Sequence, residues 1–159
     1  MREIEGWSNL GETVRSKLIR SCTQQTTNRN VDFLLTLQNE LLKPIQNEIF
    51  DVCSQLEKIR HTKGGKKKYH LMISSYFLDS AQTWNALRRV CASPSDVCFI
   101  IGDSAPYGIY VPVHEWLGKL AIAAGFESWS FERIRDRNIK WKNRKHNVPL
   151  CEGRLWVKG

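Results

Sequence analysis

The sequence predicts an α/β fold, with an N-terminal helical region followed by a sheet of few strands. Three observations predict it. From Phe33 to Ile59 apolar residues recur at spacings of three and four, which marks one buried face of a helix. The short unbroken apolar run at 97–101 (VCFII) suits a strand buried on both faces of a parallel sheet. Two later stretches, 126–135 and 154–158, read as strands joined by a long basic connection.

The size fits one domain. The chain has 159 residues, of which 42% are hydrophobic, 10% aromatic and 25% charged. These are globular proportions and exclude a disordered or collagen-like chain. No apolar run approaches the ~20 residues that span a bilayer, and residues 1–10 carry no signal-peptide core. The expectation is a soluble, cytoplasmic protein with no membrane partner.

The elements follow in order. Asn9 stands as a cap with Glu12 three residues on, as in a capping box, and Leu10, Val14 and Leu18 then share a face. The polar run 21–30 (SCTQQTTNRN) predicts a loop. Asp32 is a plausible N-cap for the stripe of Phe33, Leu37, Leu41, Ile45, Ile49, Val52, Leu56 and Ile59. Pro44 interrupts that stripe and predicts a kink or a junction of two helices, because proline removes a donor and clashes with the preceding turn. The stripe itself reads as core or subunit interface.

The loop HTKGGKKK follows. A phosphate-binding loop needs Gly-x-x-x-x-Gly-Lys and then Ser or Thr. Here Arg60 stands where the first glycine belongs and Lys67 follows Lys66, so the stretch is read as a basic loop. Over 70–91, Ile73, Tyr76, Phe77, Trp84, Leu87 and Cys91 share a helical face, and Ser93-Pro94 ends it. The apolar run then finishes in Gly102-Asp103-Ser104, at the carboxyl end of its strand, where ligands collect in open α/β sheets. Pro112 suits a first helical turn. Val113, Trp116, Leu117, Leu120 and Ala124 form the buried face, and Gly125 is the C-terminal cap.

Lys and Arg number 24 against 16 Asp and Glu, a formal net charge of +8. Residues 60–68 hold five basic residues and no acid; residues 131–146 hold seven basic and two acidic. Together they contribute +10, so the remainder sums to −2. Two basic patches on a near-neutral body point to a polyanion partner. The phosphate-contact candidates are Lys63, Lys66, Lys67 and Lys68 from the first stretch. The second stretch supplies Arg135, Arg137, Lys140, Lys142, Arg144 and Lys145. Trp141 lies among those cations, placed either to stack on a base or to cover the strand pair.

The five cysteines are odd in number and form no C-x-x-C pair, and the four histidines show no ligand spacing. Neither a disulfide framework nor a metal site is expected, and a reducing compartment fits.

Residues 97–127 (VCFIIGDSAPYGIYVPVHEWLGKLAIAAGFE), with RIRDR and NRKHNVPLCEGRLWVKG after them, resemble the C-terminal half of S-adenosylmethionine-dependent DNA amino-methyltransferases of the restriction–modification type, which methylate adenine N6 or cytosine N4. Leu87-Arg88-Arg89-Val90 before the strand, and Gly108-Ile109-Tyr110-Val111-Pro112 opening the next helix, fit the same pattern. Residues 18–23 (LIRSCT) and 76–79 (YFLD) resemble segments that follow the catalytic motif in that family. The resemblance covers nearly the whole chain. It implies a partial Rossmann-like methyltransferase sheet of few strands ending in an antiparallel pair, with 1–68 as a helical segment bearing the basic loop and 69–159 as the C-terminal half of the α/β domain, in one structural unit.

The departures from the family pattern set the expected function. The glycine-rich turn that holds the methyl donor has no counterpart, and no acidic residue stands in the context that holds the donor's ribose. The catalytic tetrapeptide, Asp/Asn/Ser-Pro-Pro-Tyr/Phe, has its nearest match in Ser104-Ala105-Pro106-Tyr107. Ser104, Pro106 and Tyr107 are then either a degenerate catalytic motif or a later loop of the sheet. One helix and two strands follow Tyr107, the count that follows the fifth strand of the family's sheet, which favours the later loop.

The resemblance therefore implies a subunit or fragment with no catalytic or donor-binding residue of its own. It would contribute DNA binding and sheet completion, and reach S-adenosylmethionine only through another polypeptide. The partners expected are DNA and a second polypeptide carrying the donor-binding half, or further copies of the chain. The alternative is a non-catalytic nucleic-acid-binding protein that retains half of a methyltransferase fold.

Overall fold

The computed structural model describes residues 18–27, 32–64, 67–137 and 147–159. Helices pack on one face of a three-stranded sheet, so the architecture is mixed α and β. The expected helix start around Asn9, Leu10, Glu12 and Val14 lies outside these residues; Leu18, within them, is exposed.

The polar run at 21–30 departs from its expectation as a loop. Gln24–Thr27 forms a one-turn helix, α1. Gln25 Oε1 accepts the backbone N–H groups of Ser21 and Cys22, and the Thr26 hydroxyl donates to the Thr23 carbonyl. Polar side chains that bond their own backbone make a turn without an apolar face. Arg20 just before it donates from Nε to Asp79 Oδ2 at 2.8 Å, and its backbone N–H reaches the same oxygen at 2.9 Å. Two segments carrying the family resemblance, 18–23 and 76–79, thus meet.

The long stripe folds as three pieces. α2 (Phe33–Leu37) is capped by the Asp32 carboxylate on the Leu34 N–H, as the sequence predicts. A 3₁₀ turn at Glu40–Ile45 carries Pro44, and α3 (Gln46–Arg60) continues beyond it. Phe33, Leu37, Ile45, Ile49 and Leu56 are all buried. After a 3₁₀ turn at His61–Lys63 and the left-handed Gly64, α4 (Tyr69–Val90) runs 22 residues. Its Ile73, Phe77 and Trp84 enter the core, where Trp84 meets Phe99 and Phe126 edge-on at 4.8 and 5.4 Å.

β1 (Asp96–Gly102), β2 (Ser128–Arg137) and β3 (Leu150–Lys158) form the sheet in the order β1-β3-β2. α5 (Val113–Ala123) connects β1 to β2 across the covered face, with Val113, Trp116, Leu117 and Leu120 buried. Gly125 follows it at φ 96°, the left-handed cap expected. Glu48 of α3 holds α5 from the side by accepting from Trp116 Nε1 at 2.6 Å and pairing with Lys119.

The strand at 97–101 corrects the sequence expectation. Its bonded neighbour is β3, and that pairing is antiparallel, as is the pairing of β2 with β3. β1 and β2 therefore run in the same direction with β3 between them. Nor is β1 buried on both faces. Val97, Phe99 and Ile101 pack against the helical core, while Cys98 and Ile100 face away and Ile100 is 72% exposed. An apolar run shows no period, so it cannot reveal that one of its faces lacks a cover. The later strands also shift: β2 begins and ends two residues beyond 126–135, and β3 begins four residues before Arg154. Pairing sets these limits, since Leu150 is in register with Arg137.

Candidate nucleic-acid interface

One described residue of each basic stretch leads to the carboxyl end of β1: Lys67 through aromatic contacts and Arg137 directly. Beyond Gly102 the chain passes through Asp103 and Ser104, makes a 3₁₀ turn at Pro106–Gly108, and returns so that the Val111 N–H donates to the Ser104 carbonyl at 2.8 Å. Asp103 fixes this loop. It is 3% exposed. It accepts hydrogen bonds from the Tyr110 hydroxyl at 3.0 Å, from His114 Nδ1 at 3.0 Å and from the Cys151 thiol at 3.2 Å. Burial and the Asp103 carboxylate push both the Tyr110 phenol and the Cys151 thiol up. The phenol and the thiol therefore keep their protons, as a loop anchor requires. His114 also stacks on Phe131, with ring centroids 4.2 Å apart.

The first basic stretch reaches this loop through aromatics. Lys63 and Lys67 are exposed and Lys68 is half-buried. Lys67 Nζ lies 5.9 Å from the Tyr69 ring centroid, and Tyr69 meets Tyr107 edge-on at 5.0 Å. Lys66 lies outside the described residues. Tyr107 has φ 55°, a left-handed conformation that costs a non-glycine residue energy and recurs at functional loops.

The second stretch arrives from the other side. Arg137, at the end of β2, donates from its guanidinium to the Asp103 carbonyl at 2.9 Å. It lies across Gly102, where a Cβ would stand 2.6 Å from one of its terminal nitrogens. Arg135 pairs with Glu152 at 2.9 Å, and Arg133 pairs with Asp136. Lys140, Trp141, Lys142, Arg144 and Lys145 lie outside the described residues. Arg137 and Leu150, the strand residues on either side of that stretch, are partners in register.

Between the Asp103 loop and α4 lies a cavity of about 250 Å³. Met72, Ile73 and Phe77 make its floor, and Ser21, Tyr76, Ser104 and Arg137 its polar rim. Ser104 thus faces this cavity, whereas Tyr107 packs on Tyr69 and Pro106 starts the 3₁₀ turn. Asp103, Tyr110, His114 and Cys151 were not legible as a group. They sit at four unrelated positions, and only the fold brings the last strand beside the first.

Among the described residues no group of His, Cys, Asp and Glu is arranged to hold a metal ion, and no helix is long and apolar enough to cross a membrane. The chain matches no family model, no curated protein and no solved structure.

Proposed function

We propose that this chain is a subunit or fragment of a DNA amino-methyltransferase. It contributes phosphate contacts and the last strands of the sheet, and a different polypeptide supplies the methyl-donor site and the catalytic motif. One observation carries the reading. Two strands of common direction are joined by a helical crossover, with a third, antiparallel strand inserted between them from the chain's end. The helix and two strands that follow Tyr107 match in number what the resemblance implies after the fifth strand of the methyltransferase sheet. The described residues supply no parallel neighbour to β1; in this reading another polypeptide would supply it.

In this reading the end of β1 does not hold S-adenosylmethionine. At the carboxyl end of β1, Gly102 is overlaid by the Arg137 side chain, so its lack of a Cβ opens no room for a ligand. The one buried carboxylate there, Asp103, already accepts from Tyr110, His114 and Cys151 and is not free to hold ribose hydroxyls. No methyl-transfer step is therefore assigned to this chain's residues. Their work is to bind the DNA backbone. Lys67, Arg135 and Arg137 lie around the end of β1, and neutralising phosphates there would hold a duplex against the edge at which a base would be extruded.

Calorimetric titration of S-adenosylmethionine into the chain alone tests the division of labour. The reading predicts no saturable heat. Stoichiometric binding at micromolar donor would overturn it, because a chain with its own donor site needs no second polypeptide.

A further inference from the structure

The open edge of β1 has a definite pattern. Ser95 and Gly159 exchange backbone hydrogen bonds, and the Asp103 N–H donates to the Cys151 carbonyl. These bonds set the phase of the ladder. Ser95, Val97, Phe99, Ile101 and Asp103 turn their backbones to β3, so Asp96, Cys98, Ile100 and Gly102 turn their N–H and C=O groups outward. Among the described residues nothing pairs with that edge. It carries few of the usual guards: residues 96–102 contain no proline, no lysine and no bulge, and their one charge, Asp96, stands at the end of the strand. The four outward residues also share the uncovered face, where Cys98 stands beside Trp156 and Ile100 beside Arg154.

The ends of the strand are complementary. Asp96 lies at one end, and the Arg137 guanidinium lies over Gly102 at the other. An antiparallel strand whose twofold axis passes beside Phe99 sets Gly102 against the partner's Asp96, and Cys98 against the partner's Ile100. The partner's Asp96 carboxylate then meets Arg137, and by symmetry the same pair forms again at the opposite end. A twofold contact requires a patch that complements itself, and this edge does so in charge, in apolar surface and in backbone donors and acceptors.

We propose that β1 pairs edge to edge with β1 of a second copy of this chain, giving a continuous six-stranded sheet. Asp96, Cys98, Ile100 and Gly102 of each copy form the seam. The inference does not depend on the methyltransferase reading. Where a donor-binding polypeptide exists, it and the second copy compete for the same edge, and self-pairing shields the edge until that polypeptide arrives.

Sedimentation velocity over a concentration series, combined with cross-linking, tests this. The wild-type chain should sediment at twice its 18.4 kDa mass. Ile100→Lys should sediment as a single copy with an unchanged circular dichroism spectrum and melting temperature, since Ile100 points to solvent within one copy. Phe50→Lys, an exposed change on the helical side, should remain dimeric. Oxidising Ile100→Cys with copper phenanthroline should link it to the partner's Cys98, because hydrogen-bonded antiparallel pairs hold Cα atoms about 5.5 Å apart, within disulfide range. The same oxidation of Ile122→Cys on α5 should give no such link. A single-copy mass at every concentration would overturn the proposal and assign the edge to another occupant. A dimer that survives Ile100→Lys, or cross-linking equal at both cysteine positions, would overturn it as well.

Discussion

Asp103 has both carboxylate oxygens in use and almost no contact with water. Replacing it removes the buried acceptor shared by three donors: Tyr110 in the loop, His114 on α5 and Cys151 on β3. Losing one side of a buried charged network costs about 3 kcal/mol, so Asp103→Ala should lower stability by about that amount in urea unfolding. Tyr110→Phe, which removes one hydroxyl, should cost about 1 kcal/mol. Equal small losses for both would show that the loop is not anchored through Asp103.

His70 gives the molecule a pH dependence of defined sign. It is 3% exposed at the start of α4, and burial, helped by the positive charges of Arg60, Lys68 and His61, lowers its pKa to about 4. In the unfolded chain an imidazole titrates near 6.5, so between these values the unfolded state binds more protons. Stability is full above pH ~6.5 and falls as the pH drops toward 4, by up to about 3 kcal/mol. Comparing urea midpoints at successive pH values in wild type and His70→Asn should show this loss in the wild type and a flatter profile in the variant.

At the scale of elements, α5 and β2 meet through a glycine. A Cβ on Gly118 would run into the Trp129 indole, so the missing side chain lets the sheet close on the helix. Gly→Ala in a helix ordinarily gains about 1 kcal/mol. Here overpacking against a fixed ring should reverse the sign and cost about 1–3 kcal/mol. A melting temperature that rises in Gly118→Ala would contradict the contact.

The helices were the most legible elements. The spacing of Phe33, Leu37, Ile45, Ile49 and Leu56, the Asp32 cap and the Pro44 break all correspond to observed features. So do the buried face of α5 and its Gly125 cap. A helical period states directly which face is covered. β1 was legible as a strand but not in its pairing, because an unbroken apolar run is the same whether its neighbours are parallel or antiparallel and whether one face or two are covered. The one-turn helix α1 was missed because it rests on side-chain-to-backbone bonds rather than on a stripe. The Asp103 group was missed because it joins residues 48 positions apart.

For the whole molecule, charge and topology lead to one region. The net charge of +8 is concentrated in two stretches, and the structure brings the roots of both to the carboxyl end of β1. Lys67 reaches it through Tyr69 and Tyr107, and Arg137 through the Asp103 carbonyl. Along β2 and β3 the arginines are not all available, since Glu132, Asp136 and Glu152 pair with Arg154, Arg133 and Arg135. In the proposed DNA complex phosphates would have to displace carboxylates there, which makes Lys63 and Lys67, exposed in the first loop, the more readily recruited contacts.

The most direct measurement of the central claim is fluorescence anisotropy of a labelled DNA duplex titrated with the chain across a salt series. An interface that neutralises about six phosphates predicts binding that weakens with salt at a log–log slope of roughly −5. Affinity that does not change between low and moderate salt, or no binding at low salt, would contradict a DNA-binding role for the two basic stretches and with it the proposed place of this chain in a methyltransferase.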